Sequence, residues 1–299
     1  MAKVFIGMAT YNGERFLRKA IDSFLEQSFT DFTLFISDDG SKDRTPEICL
    51  EYAQKDKRVV FYRQEKNLGM FPNFKFTLDK ADALYFMLAS QDDFREKDFI
   101  QTCIENMEKR NIDVAMTGIA DVDSYGRSMR EMDISIFSGK PSVAQITRYV
   151  LQPEILGKCH FMYSLFKTSA MRKAWDIYPM RKEWGTDYHF SLAVVSHFDV
   201  YVDKRILFKK RPGGLTSPDA LKGDSPDAVK RIIIKDPKNH MFPFGRFQQY
   251  FQGHMEALEG TPYRPLAALL LSLRLPRALY IHIRQRDIKK FIKKFFHIS

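Results

Sequence analysis

The first half of the chain alternates between short apolar runs and segments whose apolar residues recur with the period of a helix. Residues 4–6, 33–36, 59–62, 85–88 and 114–117 are largely apolar runs of strand length. Between them, apolar residues spaced three and four positions apart predict helices, as in the segment beginning at Phe16. Strands that alternate with helices predict an α/β fold, in which a mostly parallel sheet carries helices on both faces.

The pattern becomes irregular after about residue 120. A strand is predicted over residues 161–166, a helix over 186–196 and a strand over 200–209. Glycine and proline are frequent over residues 212–223, which is typical of a loop or linker. The remaining residues are predicted to be helical.

Charge is concentrated at the end of the chain. The formal net charge is +10, and residues 264–299 contain nine Lys or Arg and one acid, Asp287. Five apolar residues there share one helical face, which predicts a basic amphipathic helix on an anionic membrane surface, or a helix packed on the core: Ile281, Ile288, Phe291, Ile292 and Phe295. Three scattered cysteines and an N-terminus without a signal-peptide pattern favour a cytoplasmic location, peripheral on the inner face of the cell membrane.

Acidic pairs follow two of the predicted strands. Asp38 and Asp39 can accept hydrogen bonds from a uracil ring or a ribose hydroxyl, or can simply form a turn and a helix cap. Asp92 and Asp93 repel each other unless a cation lies beside them, which predicts Mg²⁺ or Mn²⁺ with phosphate oxygens completing its shell. The alternative for this second pair is a solvated turn. Because parallel strands end at a common edge of the sheet, both pairs are expected at one site.

Four sequence blocks occur in a fixed order between Thr10 and Asp93: Thr10-Tyr11-Asn12-Gly13-Glu14, Ser37-Asp38-Asp39-Gly40-Ser41, Asn67-Leu68-Gly69 and Gln91-Asp92-Asp93. Their order and spacing resemble the amino-terminal half of family-two glycosyltransferases of the GT-A fold. The last block is similar to the Asp-Gln-Asp-Asp form of bacterial rhamnosyltransferase-like members, with Ser90 in place of the first acid.

The resemblance implies roles for residues in these blocks. Asp39, with Asp38, would contact the base, Asp92 would lie near the ribose or the sugar, and Asp93 would bind a divalent cation. The implied nucleotide-binding set from these blocks is Thr10, Tyr11, Glu14, Asp38, Asp39, Asn67 and Asp92.

Two further candidates lie in the second half. Asp187 is predicted at a helix N-terminus, where the helix dipole favours its charged form. The segment 184–188 resembles the family's block that carries the general base, so Asp187 would take the proton from an acceptor hydroxyl; the alternative is a helix-terminal acid without chemistry. Arg211, at the end of the basic run 209–211, would hold the diphosphate or belong to a solvated charge run.

Together these features predict a metal-dependent glycosyltransferase. The family resemblance implies that it inverts the anomeric centre, and the lack of a Gln-x-x-Arg-Trp motif of processive synthases favours a single addition. It would transfer a sugar from a UDP- or dTDP-sugar to a hydroxyl of a glycan or lipid-linked glycan. Residues 1–118 would form the nucleotide-sugar-binding half, residues 119–215 the acceptor and catalytic half, and residues 216–299 a helical extension with the basic tail.

Two other classes of function fit the sequence less well than a glycosyltransferase. A nucleotidyltransferase would need a glycine-rich basic loop after the first strand, and residues 12–14 provide none. A non-catalytic binder of nucleotide sugars or nucleic acid would interleave aromatic and basic residues on a strand face, whereas the tail's aromatic residues share the apolar helix face. No nucleic-acid partner is predicted.

Overall fold

The computed structural model describes residues 2–123, 126–152, 157–183, 185–211 and 247–285, with side chains up to residue 276. Within these residues, nine strands form one sheet in the order β3-β2-β1-β4-β8-β6-β9-β5, and β7 pairs with β6. The strands are β1 Val4–Thr10, β2 Phe32–Asp38, β3 Val59–Arg63, β4 Tyr85–Ala89, β5 Phe94–Arg95, β6 Val114–Val122, β7 Ser128–Met132, β8 Leu165–Lys167 and β9 Val200–Lys210.

The sheet is mostly parallel, as the alternating pattern predicted. Strands β1 to β4 pair in parallel, and β6 is parallel to β9. The short strand β8 is antiparallel to both β4 and β6, so these two neighbours run in the same direction. The carboxyl ends of β1, β2, β4, β6 and β9 therefore lie at one edge of the sheet, and the predicted α/β class is confirmed.

Helices cover the sheet where the apolar period predicted them in the first half. In α1 the residues that face the core are Leu17, Ala20, Ile21 and Phe24, which recur at three- and four-residue spacing. The helices are α1 Glu14–Leu25, α2 Thr45–Lys55, α3 Met70–Lys80, α4 Phe99–Arg110, α5 Val143–Leu151, α6 Thr168–Ile177, α7 Thr186–His197, α8 Phe247–Ala257 and α9 Arg264–Gln285.

The strand predicted over residues 161–166 is only partly correct. A 3₁₀ helix covers Lys158–Tyr163, and the strand β8 begins at Leu165. Phe161 and Phe166 are both fully buried, one in each element. A short apolar run is buried in either conformation, so its pattern does not distinguish them.

The C-terminal helices pack on the rest of the protein through small and polar residues. A Cβ atom on Gly253 of α8 would lie 2.2 Å from Nδ1 of His189 in α7, so only glycine allows this approach. Among the described helices, none is both long enough and apolar enough to cross a bilayer. The helical face predicted over residues 281–295 lies outside the described side chains.

Candidate functional site

Hydrogen bonds join the loops that follow β1, β2 and β4. The Asp39 amide donates to the Thr10 carbonyl at 2.8 Å. The Tyr11 amide donates to Oε1 of Gln91 at 2.9 Å, and Nε2 of Gln91 donates back to the Tyr11 carbonyl at 3.1 Å. Gln91 directly precedes Asp92, so the predicted nucleotide and metal blocks lie side by side at the carboxyl edge of the sheet.

The acidic pair after β2 is buried and has two different sets of partners. Asp38 is fully buried and accepts hydrogen bonds from the backbone amide and the hydroxyl of Ser41. These bonds correspond to the turn that the sequence offered as the alternative to a ligand contact. Burial raises the pKa of Asp38, and the Ser41 bonds partly offset that rise. The two oxygens of Asp39 accept from the amides of Leu68 and Gly69 at 2.7 and 2.9 Å. Asp39 therefore fixes the loop at residues 67–69 beside the end of β2.

The remaining candidates of the first half surround this loop. Asn67 donates from Nδ2 to the Asp39 carbonyl at 2.9 Å. Glu14 accepts from the Arg44 amide at 2.9 Å, just before α2, while 42% of the Tyr11 surface is exposed. Thr10 is buried at the end of β1. Among these candidates Tyr11 exposes its ring, whereas the amides of these loops already donate within the protein.

Asp93 is a buried carboxylate held by the end of β9. Its side chain is almost wholly buried, and the Arg211 amide donates to its Oδ1 at 2.9 Å across 118 residues of sequence. Burial, and then the neighbouring charge of Asp92, raise the pKa of Asp93 to about 7. Asp92 accepts a short hydrogen bond from the hydroxyl group of Ser90. Ser90 is the residue that stands in place of the first acid of the Asp-Gln-Asp-Asp motif.

The chemistry of this pair fits a hard divalent cation. Burial leaves the charged form of Asp93 poorly solvated, and an adjacent divalent cation would stabilise that form. Within the described residues, no group of three or more His, Cys, Asp or Glu side chains is placed to hold a metal. The protein would thus provide only the pair after β4, and oxygens of a bound diphosphate would complete the coordination shell.

Asp187 lies in the first turn of α7, as predicted. The turn before it needs a left-handed residue, and Gly185 has a φ of 82° there. Oδ1 of Asp187 accepts from the Tyr188 amide at 3.0 Å. Burial raises the pKa of Asp187, while this amide and the thiol of Cys159 act in the opposite direction. A carboxylate in this setting is a stronger base than a solvated one.

The structure adds residues that sequence analysis did not select. The phenol of Tyr163 has its pKa raised well above the ordinary value, first by burial and then by Asp93, Asp92 and Asp187. Three carboxylates from two parts of the chain therefore act on this one hydroxyl group. No sequence signal marked Tyr163, because it lies in a segment predicted as a strand.

Lys210 supplies the positive charge nearest to these acids. Its burial lowers the pKa, but Asp93 and Asp121 outweigh that effect, so the net shift is upward and the ammonium group stays charged. Asp121 is also paired with Arg130 at 2.6 Å. The guanidinium of Arg211 lies 4.4 Å above the Phe16 ring, between the end of β9 and α1. The basic run 209–211 is therefore part of the site; Arg211 is its buried member, and Lys209 and Lys210 are half-buried.

Comparisons with known proteins agree with this architecture. The family model described as "Glycosyl transferase family 2" matches residues 5–175. The protein "Glycosyltransferase GlyA" of Streptococcus pneumoniae is 24% identical over 198 residues, which cover 66% of this chain and 26% of that protein. "Uncharacterized glycosyltransferase MJ1057" of Methanocaldococcus jannaschii is 30% identical over 131 residues, which cover 43% and 45% of the two chains. The chain thus spans less than half the length of these two curated relatives.

Solved structures share the fold over nearly the whole chain. Residues 1–349 of S. aureus TarS, in complex with UDP, superpose with a TM-score of 0.59 at 17% identity, covering 95% of this chain and 91% of that one. The mannosyltransferase PcManGT of Pyrobaculum calidifontis, in complex with GDP-Man and Mn²⁺, gives a TM-score of 0.50 at 12% identity, covering 100% and 88% of the chains.

Proposed function

Since this chain belongs to glycosyl transferase family 2 and has the GT-A fold, we propose that it transfers a sugar from a nucleotide-diphosphate donor to an acceptor hydroxyl, with inversion. The observation that carries the proposal is the hydrogen bond from the Arg211 amide to Asp93, which joins the acidic pair after β4 to the basic end of β9; Asp187 acts with this pair on the phenol of Tyr163. It supports a single site for both reacting groups. Asp92 and Asp93 would bind a cation beside the leaving diphosphate, and Asp187 would take the proton of the attacking hydroxyl group.

The donor nucleotide would bind beside the loops that follow β1 and β2. Asp39 is held rigidly by two backbone amides, and its remaining lone pairs would accept the imide N–H of uracil or thymine. The exposed ring of Tyr11 would contact the base or ribose, with Asn67 and Glu14 at the rim. Asp38 would support the turn rather than touch the ligand, because it is fully buried. TarS has been solved with UDP and UDP-GlcNAc, which supports a UDP- or dTDP-sugar.

The diphosphate would lie beside Asp93 and the end of β9, which the Arg211 amide joins directly. Asp93 and Asp92 would hold a divalent cation, which neutralises the negative charge that grows on a departing diphosphate. PcManGT has been solved with Mn²⁺, which supports this cation. Lys210 stays charged despite its burial, and the adjacent Arg211 offers a planar guanidinium to phosphate oxygens.

Asp187 would act as the general base. As the acceptor oxygen forms its bond to the anomeric carbon, Asp187 takes the hydroxyl proton, and the bond from that carbon to the diphosphate breaks. One displacement from the face opposite the leaving group inverts the anomeric centre. The raised pKa of Asp187 suits this role, because a base is most effective when its pKa approaches the working pH.

The acceptor would be a hydroxyl of a glycan or lipid-linked glycan, and one sugar would be added per encounter. Residues 1–118 would bind the donor, residues 119–215 would bind the acceptor and supply the base, and residues 216–299 would place the enzyme at the inner face of the cell membrane. The basic tail beyond residue 285 supports this placement through its charge.

A panel of nucleotides tests the donor assignment. The melting temperature should rise with UDP or dTDP plus Mn²⁺, rise less when a chelator replaces Mn²⁺, and rise less with GDP. The matched variant is Asp39→Asn, which keeps the shape of the side chain but presents an N–H where the base needs an acceptor. Equal stabilisation of both proteins by UDP would remove Asp39 from base recognition. No stabilisation by any nucleotide would refute the donor site.

A further inference from the structure

Helices α5 and α9 lie side by side and run in the same direction. The hydroxyl of Tyr263, just before α9, donates to the carbonyl of Pro141, just before α5, at 2.9 Å. Near the other end, Arg274 of α9 donates to the carbonyl of Val150 in α5. The two helices therefore begin together and stay adjacent as far as Arg274, with one groove between them, and α9 continues beyond α5 to Gln285.

Both helices expose large apolar side chains beside this groove. The exposed fractions are 60% for Val143, 49% for Leu151, 58% for Leu269 and 66% for Leu273. Successive helical residues are about 100° apart, so Leu269 and Leu273 fall on one row of α9, about 40° apart, and Val143 and Leu151 lie about 80° apart on the exposed side of α5.

The two rows open onto the same surface. Val150 and Arg274 face each other across the groove, which fixes the rotation of each helix about its axis. In parallel helices with this rotation, the row of Leu151 lies on the solvent side of Val150, and the row of Leu273 lies on the solvent side of Arg274. Isolated exposed leucines are ordinary, but a contiguous apolar surface on two helices marks a contact area.

The charge of this surface has one sign. No acid occurs between Asp133 and Glu154 or between Glu259 and Asp287, the two segments that contain α5 and the whole of α9. The same segments carry exposed cations around the apolar rows, namely Lys140, Arg148 and Arg264. The sequence continues from α9 directly into the basic residues of the tail.

We propose that α5 and α9 form a docking surface for anionic membrane lipids. Leucine and valine rows enter the boundary between headgroups and acyl chains, while Lys and Arg side chains remain at the anionic headgroups. Binding to an anionic membrane requires both an apolar surface and the lack of acids that the two helices share. The surface uses side chains of α5 and of α9 up to Leu273. It therefore differs from the apolar helical face predicted for the C-terminal tail, which begins at Ile281.

A short stretch of chain connects the docking surface to the candidate functional site. Residue 151 ends α5, and the 3₁₀ helix that begins at Lys158 carries Cys159, whose thiol interacts with Asp187. A membrane contact through α5 would thus bring the lipid surface to the acceptor side of the site. This consequence rests on the proposed function, but docking itself does not, because vesicle binding is measured without catalysis.

Flotation of the full-length protein with vesicles tests the proposal. Phosphatidylcholine vesicles with phosphatidylglycerol should bind the protein, and pure phosphatidylcholine vesicles should bind it much more weakly. The double variant Leu269→Gln, Leu273→Gln should lower the partition coefficient by about tenfold or more, because each leucine loses its apolar burial in the membrane. Its matched control is Leu50→Gln, Leu84→Gln, which changes leucines of similar exposure in the amino-terminal half and should bind as the parent does.

A second pair of variants separates this surface from the tail. In a full-length protein with Lys289, Lys290, Lys293 and Lys294 changed to Gln, the two leucine substitutions should still weaken binding by a similar factor. Equal vesicle binding by the parent and the Leu269→Gln, Leu273→Gln variant would overturn the proposal. So would a parent dimer that these substitutions dissociate while vesicle binding is unchanged, because the surface would then join two copies of the chain.

Discussion

Acid should destabilise the folded protein, because three histidines are buried as neutral rings. Burial lowers the pKa of His160 and of His189 to about 3, and that of His254 well below its ordinary value. In the unfolded chain each has a pKa of about 6.5, so their contribution to stability is complete above that pH and is lost as the pH falls towards the folded values. From about pH 7 to pH 5, each histidine costs about 2 kcal/mol, or about 6 kcal/mol for the three.

Carboxylates with raised pKa values work against this loss. The pKa of Asp93 is raised to about 7, so without a metal ion the folded state takes up a proton there over the same range. That uptake stabilises the folded protein by about 2 kcal/mol. The raised pKa values of Asp38 and Asp187 act in the same direction, so the net loss from these groups is below about 4 kcal/mol. Since domains are stable by about 5–15 kcal/mol, this change is large enough to measure.

The assay is urea unfolding in chelator at about pH 7 and pH 5, followed by the fluorescence of Trp175, which packs against Phe190. The variant His254→Asn keeps an N–H for the Tyr250 carbonyl but no longer titrates. Its free energy of unfolding should depend less on pH, by about 2 kcal/mol over this range, whatever its absolute stability. If the parent and the variant give parallel curves, or if the parent gains stability in acid, the buried-histidine argument is wrong.

Three further substitutions test the site and the C-terminal packing. Asp187→Asn should lower kcat by about a hundredfold or more, while UDP binding measured by calorimetry stays the same; normal turnover would exclude Asp187 as the base. Asp93→Ala should abolish the part of donor affinity that depends on Mn²⁺, and a parent enzyme that keeps full activity in chelator would contradict the metal assignment. Gly253→Ala places a Cβ atom against His189 and should lower the free energy of unfolding by about 1–3 kcal/mol, whereas Gln252→Ala on the exposed face of the same helix should leave it nearly unchanged.

The first half of the fold could be predicted because its determinants are local. The four apolar strands and the amphipathic face of α1 have periods that identify them, and the turns after β1, β2 and β4 are rich in Asp, Asn and Gly. Thr45 begins α2, and its hydroxyl accepts from the Gly13 amide at 2.7 Å, a contact between distant parts of the chain that no local pattern predicts.

The second half was harder because its strands are short or change partners. Strand β5 has two residues and β8 has three, and neither carries a periodic signal. The site shows the same limit. Acids at strand ends were identified from position and type, whereas the contact between Asp93 and Arg211 joins residues 118 positions apart, and Tyr163 and Lys210 acquire their surroundings only through packing.

Strand β8 connects two parallel blocks of the sheet through very few residues. It pairs with β4 only at Lys167 and Phe166, and with β6 only at Phe166 and Leu165. The register of each block is therefore set within that block. Substitutions in one block need not shift the strands of the other, so the two blocks can change separately during evolution.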